Sequence, residues 1–444
     1  MDDLMAARSQ MALSLGFHII FACIGMVMPF FMATSHYFYL KTGDLNYKNL
    51  TKAWGKGVAI FFVTGAVSGT MLSFELGLLW PAFMEHAGPI FGMPFSLEGT
   101  AFFIEAIAIG FFLYGWDRFS PWFHWITGLI VGISGLASGI LVVAANGWMN
   151  SPSGFDYVDG KYINIDPIAA MFNDAWFTQA LHMTIAAFVA TGFAVAGIHA
   201  LMLLKGKNIG FHIKAFKIAI IFGGIAAVVQ PISGDISAKD IAKRQPEKLA
   251  AMESHFETKK QAPLLIGGIP DLERKTVDYS IKIPGALSFL AHGDFDAVVI
   301  GLDQIPEENH PPVLVTHIAF QIMVFTGMIM VGLGLLYFFA IWKKQNWINK
   351  KWFLKLFIAA TPLGFIAVEA GWTVTEVGRQ PWILYGYMKT SEALTPMPGI
   401  TYSFIVFSLV YLSLSLVVVF LLYRQIKAVP ELYSNQNKTT ESIQ

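Results

Sequence analysis

The 444-residue chain contains one cysteine, Cys23, in the middle of an apolar run. A single thiol excludes an internal disulfide, a cysteine-based zinc site and an iron–sulfur cluster held by this chain alone. Charge is scarce as well. Asp, Glu, Lys and Arg together make up 14% of the residues, against about 25% in soluble globular proteins. The 30 Lys and Arg balance 30 Asp and Glu, so no net basic footprint points to nucleic acid. Internal repeats and low-complexity blocks are absent from the sequence. Apolar residues, in contrast, reach 55%, with 38 phenylalanines and a mean hydropathy of +0.56. A soluble fold of this length could not cover so much apolar surface. The expectation is an all-α, polytopic membrane helix bundle.

A spanning helix needs about 20 predominantly apolar residues. Nine segments qualify, at about 10–34, 53–80, 97–115, 122–145, 176–204, 215–233, 316–342, 353–376 and 402–423. The first is too long for a signal peptide, and no small-residue cleavage site follows it. Glycine-rich stretches such as GAVSG (65–69) and GISGLASG (132–139) suit close helix packing in a bilayer. Nine spans place the termini on opposite sides. With the N-terminus outside, 17 Lys and Arg flank the spans on the inner side, and 4 lie in short outer segments. That bias predicts an outer N-terminus and a cytoplasmic C-terminus.

The expected organisation is spans one to six over 1–233, a polar outer loop over 234–315, spans seven to nine over 316–428, and a disordered cytoplasmic tail over 429–444. The first half of the loop reads as an amphipathic helix, with Ile241, Leu249 and Met252 set among charges. A loop of this length is usually functional or a linker.

Ionisable residues inside a membrane span are costly and point to function. They are His18, Glu75, Glu98, Glu105, His182, Glu369 and Glu376, with Arg379 just beyond span eight. Glu98 and Glu105, seven apart, share a helix face, as do Glu369, Trp372 and Glu376. Glu376 and Arg379 are spaced to pair at i,i+3. Glu75 fits structural pairing as well as function. A lone histidine in a span is more often a packing residue than a ligand, but histidine is also a haem ligand and methionine can fill a sixth position. Span seven offers Met323, Met328 and Met330. At 1.5 Å per residue, His182 lies about 9 Å, Met323 about 10 Å and His18 about 12 Å below the outer ends of their spans. Glu98 and Glu376 stand at outer ends too. A shared depth favours one redox or proton-handling region beneath the long loop.

Six ordered motifs then carry a resemblance: ARSQMALSLGFH (7–18), LEGTAFFIEA (97–106) with GWDR (115–118), ALH (180–182), KLAAMESHFET (248–258), FQIMVFTG (320–327) and GWTVTEVGRQPW (371–382). On a nine-span frame the chain resembles subunit I of the cytochrome bd quinol oxidases, in the class with a short quinol loop. The resemblance implies a terminal respiratory oxidase of the bacterial cell membrane. It would oxidise menaquinol or ubiquinol at the outer face and reduce O2 to water, building a proton gradient by charge separation without a pump.

The resemblance also implies site residues. His182 and Met323 match the axial pair of a low-spin haem b. His18 and Glu376 match the ligands of two high-spin haems: a haem b, and a haem d or a third haem b. Glu98 and Glu105 match carboxylates near the oxygen-reducing haem and its proton route. Trp372 matches an aromatic residue between haems, and Arg379 a partner for a haem propionate. Lys248 and Glu253 match residues of the quinol-binding loop. Gln321 stands where some members carry Arg, which implies a haem that is easier to oxidise. The partners implied are a second large subunit and membrane lipid, with room for a small single-span subunit. Two other readings use the same residues differently. A di-haem quinone oxidoreductase module would not require Glu376 or the Glu98/Glu105 pair. A proton-coupled transporter would show inverted repeats, which the sequence lacks.

Overall fold

The computed structural model describes the backbone of residues 1–441 and the side chains of residues 1–427. The tail expected to be disordered, 429–444, lies outside the residues described in full. Among the described residues, nine helices are long and apolar enough to cross a membrane.

The first four spans are α1 (Asp3–Thr42), α2 (Leu45–Leu79), α3 (Pro81–Tyr114) and α4 (Pro121–Asn150). Their limits follow local chemistry. Asp2 caps α1 by accepting from the Met5 amide at 2.7 Å, and Gly43 ends it at φ +70°, a conformation that glycine adopts without strain. Prolines open α3 and α4, where a missing N–H costs nothing. A hairpin of β1 (Asp156–Val158) and β2 (Lys161–Ile163) and the single turn α5 (Pro167–Met171) lead to the spans α6 (Trp176–Leu204) and α7 (Ile209–Arg244).

The α6–α7 pair packs tightly because glycine faces glycine. A Cβ on Gly192 would stand 2.5 Å from Gly223 Cα, so the two backbones touch as small-residue faces allow. Around this pair lies the main apolar core, with Phe31, Phe193, Phe216 and Phe357 fully buried.

The outer loop departs from its expected form. The chain remains helical to Arg244, and a new helix, α8 (Pro246–Met252), starts after a break at Gln245. Pro246 explains the break: its ring excludes the preceding residue from helical geometry and it has no N–H to donate. Ile241 thus belongs to α7, while Leu249 and Met252 belong to α8. Nested antiparallel pairs follow, β3 (Lys259–Lys260) with β8 (Val298–Val299), β4 (Leu264–Ile266) with β7 (Ile281–Ile283), and β5 (Ile269–Asp271) with β6 (Thr276–Asp278). The turn-length helix α9 (Ala286–His292) lies between β7 and β8.

The remaining spans are α10 (Val313–Trp342), the pair α11 (Lys351–Ala360) and α12 (Leu363–Val377), and α13 (Ile400–Glu441). Span eight is therefore two helices rather than one, broken at Thr361–Pro362, and the proline is again the cause. The hairpin β9 (Trp382–Leu384) and β10 (Met388–Lys389) joins α12 to α13.

Long-range hydrogen bonds gather one end of the bundle. The Thr395 amide donates to Leu79 O at 2.9 Å, and that of Tyr385 to Met149 O at 3.0 Å. The Ile400 amide donates to Asp3 Oδ1 at 3.0 Å. The start of α1, the ends of α2 and α4, the β9–β10 hairpin and the start of α13 thus share a side, and helix alternation puts the 245–312 loop there too.

Candidate functional site

Two histidines have the same local arrangement. His182 of α6 has Nδ1 at 3.0 Å from Ser233 Oγ of α7. That serine gives its own hydrogen to Gln230 O at 2.8 Å, so the ring donates from Nδ1 and Nε2 keeps its lone pair. The Gln230 amide, at 3.1 Å from Nε2, is a donor that fits this tautomer. His18 of α1 has Nδ1 at 2.9 Å from Ser68 Oγ of α2. Ser68 gives its hydrogen to Thr64 O at 2.9 Å, so His18 also presents a lone pair at Nε2. Metal-bound histidines are held this way, with the distal nitrogen fixed by a second partner. Gly69 makes room for the His18 ring, since a Cβ there would lie 3.0 Å from Cε1. Met323 of α10 directs its sulfur at α12, where a Cβ on Gly371 would lie 3.0 Å from Sδ.

A polar chain runs from the outer loop to α12. Lys248 of α8 donates to Asn150 Oδ1 at 2.6 Å. Asn150 donates to Asn146 Oδ1 at 3.1 Å, and Asn146 donates to Glu376 Oε1 at 2.5 Å. Arg379 completes it, donating from its guanidinium to Glu376 Oε2 at 2.6 Å. The i,i+3 pair expected from spacing is therefore formed. Arg379 is buried, and its Nε and the second terminal nitrogen have no partner. Trp372 Nε1 is also buried without one. Unpaired donors at such depth need an acceptor, and propionate carboxylates are acceptors of the right charge.

Two loop residues carry perturbed charge. Lys248 is almost fully buried; burial first, then the nearby Arg379, bring its ammonium down to about 7. Glu253 follows α8, is 1% exposed, and neither of its carboxyl oxygens has a partner. Burial pushes it up to about 8.

Glu98 and Glu105 both face α4, as their spacing requires. Glu98 accepts from Ser138 at 2.8 Å. Glu105 is buried, its carboxyl 3.3 Å from the position of a Cβ on Gly135. Glu369 turns toward α1, against Gly16. Glu75 sits apart from these, wholly buried beside Ser14 and Gln10 of α1.

The family model for cytochrome bd terminal oxidase subunit I matches residues 6–430. The chain belongs to the cytochrome bd oxidase subunit I family. It is 37% identical to a putative cytochrome bd menaquinol oxidase subunit I of Bacillus subtilis, over 95% of this chain and 96% of the relative. It is 32% identical to a cytochrome bd ubiquinol oxidase subunit 1 of the same organism, over 96% and 94%. The bd oxidase of Geobacillus thermodenitrificans superposes with a TM-score of 0.91 at 39% identity, covering 96% of this chain and 99% of that one. The chain is thus a multi-pass subunit of a quinol-oxidising terminal oxidase in the bacterial cytoplasmic membrane, and family membership brings with it haem, quinol and a second subunit.

The side chains fit haem. Two serine-backed imidazoles and a thioether are donor types that haem iron accepts, a carboxylate adds an oxygen donor, and Arg379 holds free donors beside that carboxylate. Sequence reasoning missed Ser68, Ser233, Gln230, Asn146 and Asn150. A lone polar residue in an apolar span was their only signal, and Asn150 and Asn146, four apart, share a helix face with no ionisable neighbour to draw notice.

Proposed function

We propose that this subunit takes electrons from quinol beneath the 245–312 loop, on the outer side of the membrane, and supports O2 reduction deeper in the bundle. The polar chain Lys248–Asn150–Asn146–Glu376–Arg379 carries this reading, because it joins the loop to a candidate iron ligand without a gap. His182 and Met323 are assigned to a low-spin haem b. His18 and Glu376 are assigned to two high-spin haems, a haem b and a haem d or third haem b. The haems, when bound, supply one-electron transfer and O2 chemistry.

The chain's own residues orient and move protons. Ser233 and Ser68 fix the imidazole tautomers. Arg379 and Asn146 orient Glu376 through one hydrogen bond to each carboxyl oxygen, and the remaining Arg379 donors suit a propionate. Lys248 positions a quinol oxygen, and Glu253 accepts a quinol proton for release outside. Trp372, packed beside the core, separates the haem positions. Glu105 and Glu98 deliver protons from the inner side along α3. Proton release and uptake on opposite faces would build a gradient without pumping. The Lys and Arg bias supports the outer N-terminus. The segments 1–233, 234–315, 316–428 and 429–444 remain a useful division, with the loop boundary moved to the end of α7. Menaquinol and ubiquinol both remain substrates on this reading. The sparsely buried α13 offers surface to lipid, to the second subunit or to a small single-span one.

Glu253 gives a pH test. Its carboxyl keeps its proton below about 8, so the acceptor form grows as pH rises. Quinol kcat/KM is expected to climb through about pH 8, and Glu253→Gln to abolish that limb. An unchanged profile in Glu253→Gln removes it from proton transfer. A second test concerns His18. Gly69→Ala places a methyl 3.0 Å from the ring, so the variant is expected to lose one high-spin haem while keeping the low-spin bands. A full haem complement in the visible spectra of both Gly69→Ala and His18→Ala would show that His18 is not a ligand.

A further inference from the structure

We infer that the elongated apolar groove between α10 and α12 holds the isoprenoid tail of the quinol. The inference rests on the quinol site proposed above. The groove is open along one side and has a volume of about 930 Å³. Its walls are Ile318, Ala319 and Ile322 on α10 and Ile366, Ala370 and Thr373 on α12. From Pro362 to Thr373 it follows α12 for about 16 Å at 1.5 Å per residue, the shape of a chain rather than of a ring.

The outer end of the groove is defined. It meets the helix that carries Lys248. Ala319 of the wall packs against Met252 and Val374, and Met252 precedes Glu253. Met252 O is in turn bonded by His317 of α10 at 2.8 Å. Ile269 of the quinol loop forms the roof. The chain just before that strand is tethered to α10 by Gln321, which accepts from the Gly267 amide at 2.8 Å and donates to Leu265 O at 3.1 Å. Partway along the groove, between Pro362 and Thr373, Glu369 turns against α1, its Oε2 3.0 Å from the position of a Cβ on Gly16. A carboxylate does not face open lipid, so Glu369 sets this open-sided groove apart from a bare bilayer face.

The occupant must be apolar, extended and joined to a polar head that reaches Lys248 and Glu253. A quinol tail meets all three conditions. A lipid acyl chain meets the first two, but would not call for a roof built from the quinol loop. The tail would thus set the headgroup in register by burying methyl-branched units along α10 and α12.

Tail-dependent kinetics test this in the purified oxidase with its second subunit. Two probes share the headgroup that the wild type turns over: one carries an isoprenoid tail and the other none. Ile318→Trp and Ile366→Trp, on opposite walls, are expected to raise KM for the tailed quinol about tenfold. KM for the tail-less quinol and the haem spectrum are expected to stay unchanged. Ile366→Ala, which shortens the wall without adding a polar group to the span, should raise KM for the tailed quinol alone by a smaller factor and covers the case in which tryptophan prevents folding. An unchanged KM for the tailed quinol would mean that lipid or the second subunit fills the groove, and an equal rise for both probes would mean a disturbed head site. Either result overturns the inference. No oxidation of either quinol by the wild type would instead overturn the quinol site itself.

Discussion

His182→Ala is expected to remove the low-spin b-type bands from the reduced spectrum and to bring quinol-driven oxygen uptake down to background. Met323→Leu should do the same. The two substitutions test the proposed axial pair and differ in what else they disturb. Alanine at 182 leaves Ser233 and Gln230 facing a void between α6 and α7. Leucine at 323 nearly conserves volume, a change that cores tolerate for less than about 1.5 kcal/mol. Loss of the same bands in both variants therefore reads ligation rather than collapse. The effect is large because a low-spin haem needs both axial positions filled, and neighbouring side chains offer no replacement of matching chemistry: Gln230 presents an amide and Ser233 a hydroxyl. Low-spin bands that survive in both purified variants would refute the axial pair.

Glu105→Gln should lower oxygen-reducing turnover by about 10²-fold, the low end for a lost proton-transfer group, with the haem spectrum and quinol KM intact. Glutamine keeps the volume of the side chain against Gly135 but cannot carry a proton at neutral pH. Glu98→Gln is expected to have a weaker effect, because Ser138 already donates to it. Loss of all haem in Glu105→Gln would make the residue structural. Unchanged turnover would move the proton route elsewhere.

Much of this architecture was legible in the sequence because a bilayer imposes a coarse code. Length and hydropathy fix the spans, and every one of the nine contains the expected apolar core. The ends ran short of the observed helices, since helices extend past the hydrocarbon into charged turns that hydropathy discounts; α7 continuing to Arg244 is the clearest case. The two breaks at Gln245 and Thr361–Pro362 carried a local signal in Pro246, set among charged residues, and in Pro362, which apolar flanks obscured. Ionisable residues stood out because they are rare in a membrane. Their partners did not, since Ser68, Ser233, Asn146 and Asn150 act across helices, where spacing along one chain is silent. Gln321 shows the converse. Beside Met323 in sequence it invited an argument about haem potential, yet its amide holds the backbone of the loop at Leu265 and Gly267.

The central claim is that these side chains hold a low-spin and a high-spin haem system fed by quinol. A dithionite-reduced minus air-oxidised visible spectrum of the detergent-purified protein, produced with its second subunit, tests it most directly. Low-spin b-type bands together with a high-spin signal, chlorin or b-type, and reduction of both by added quinol are the predicted result. A folded preparation without haem, or haem that quinol cannot reduce, would contradict the account.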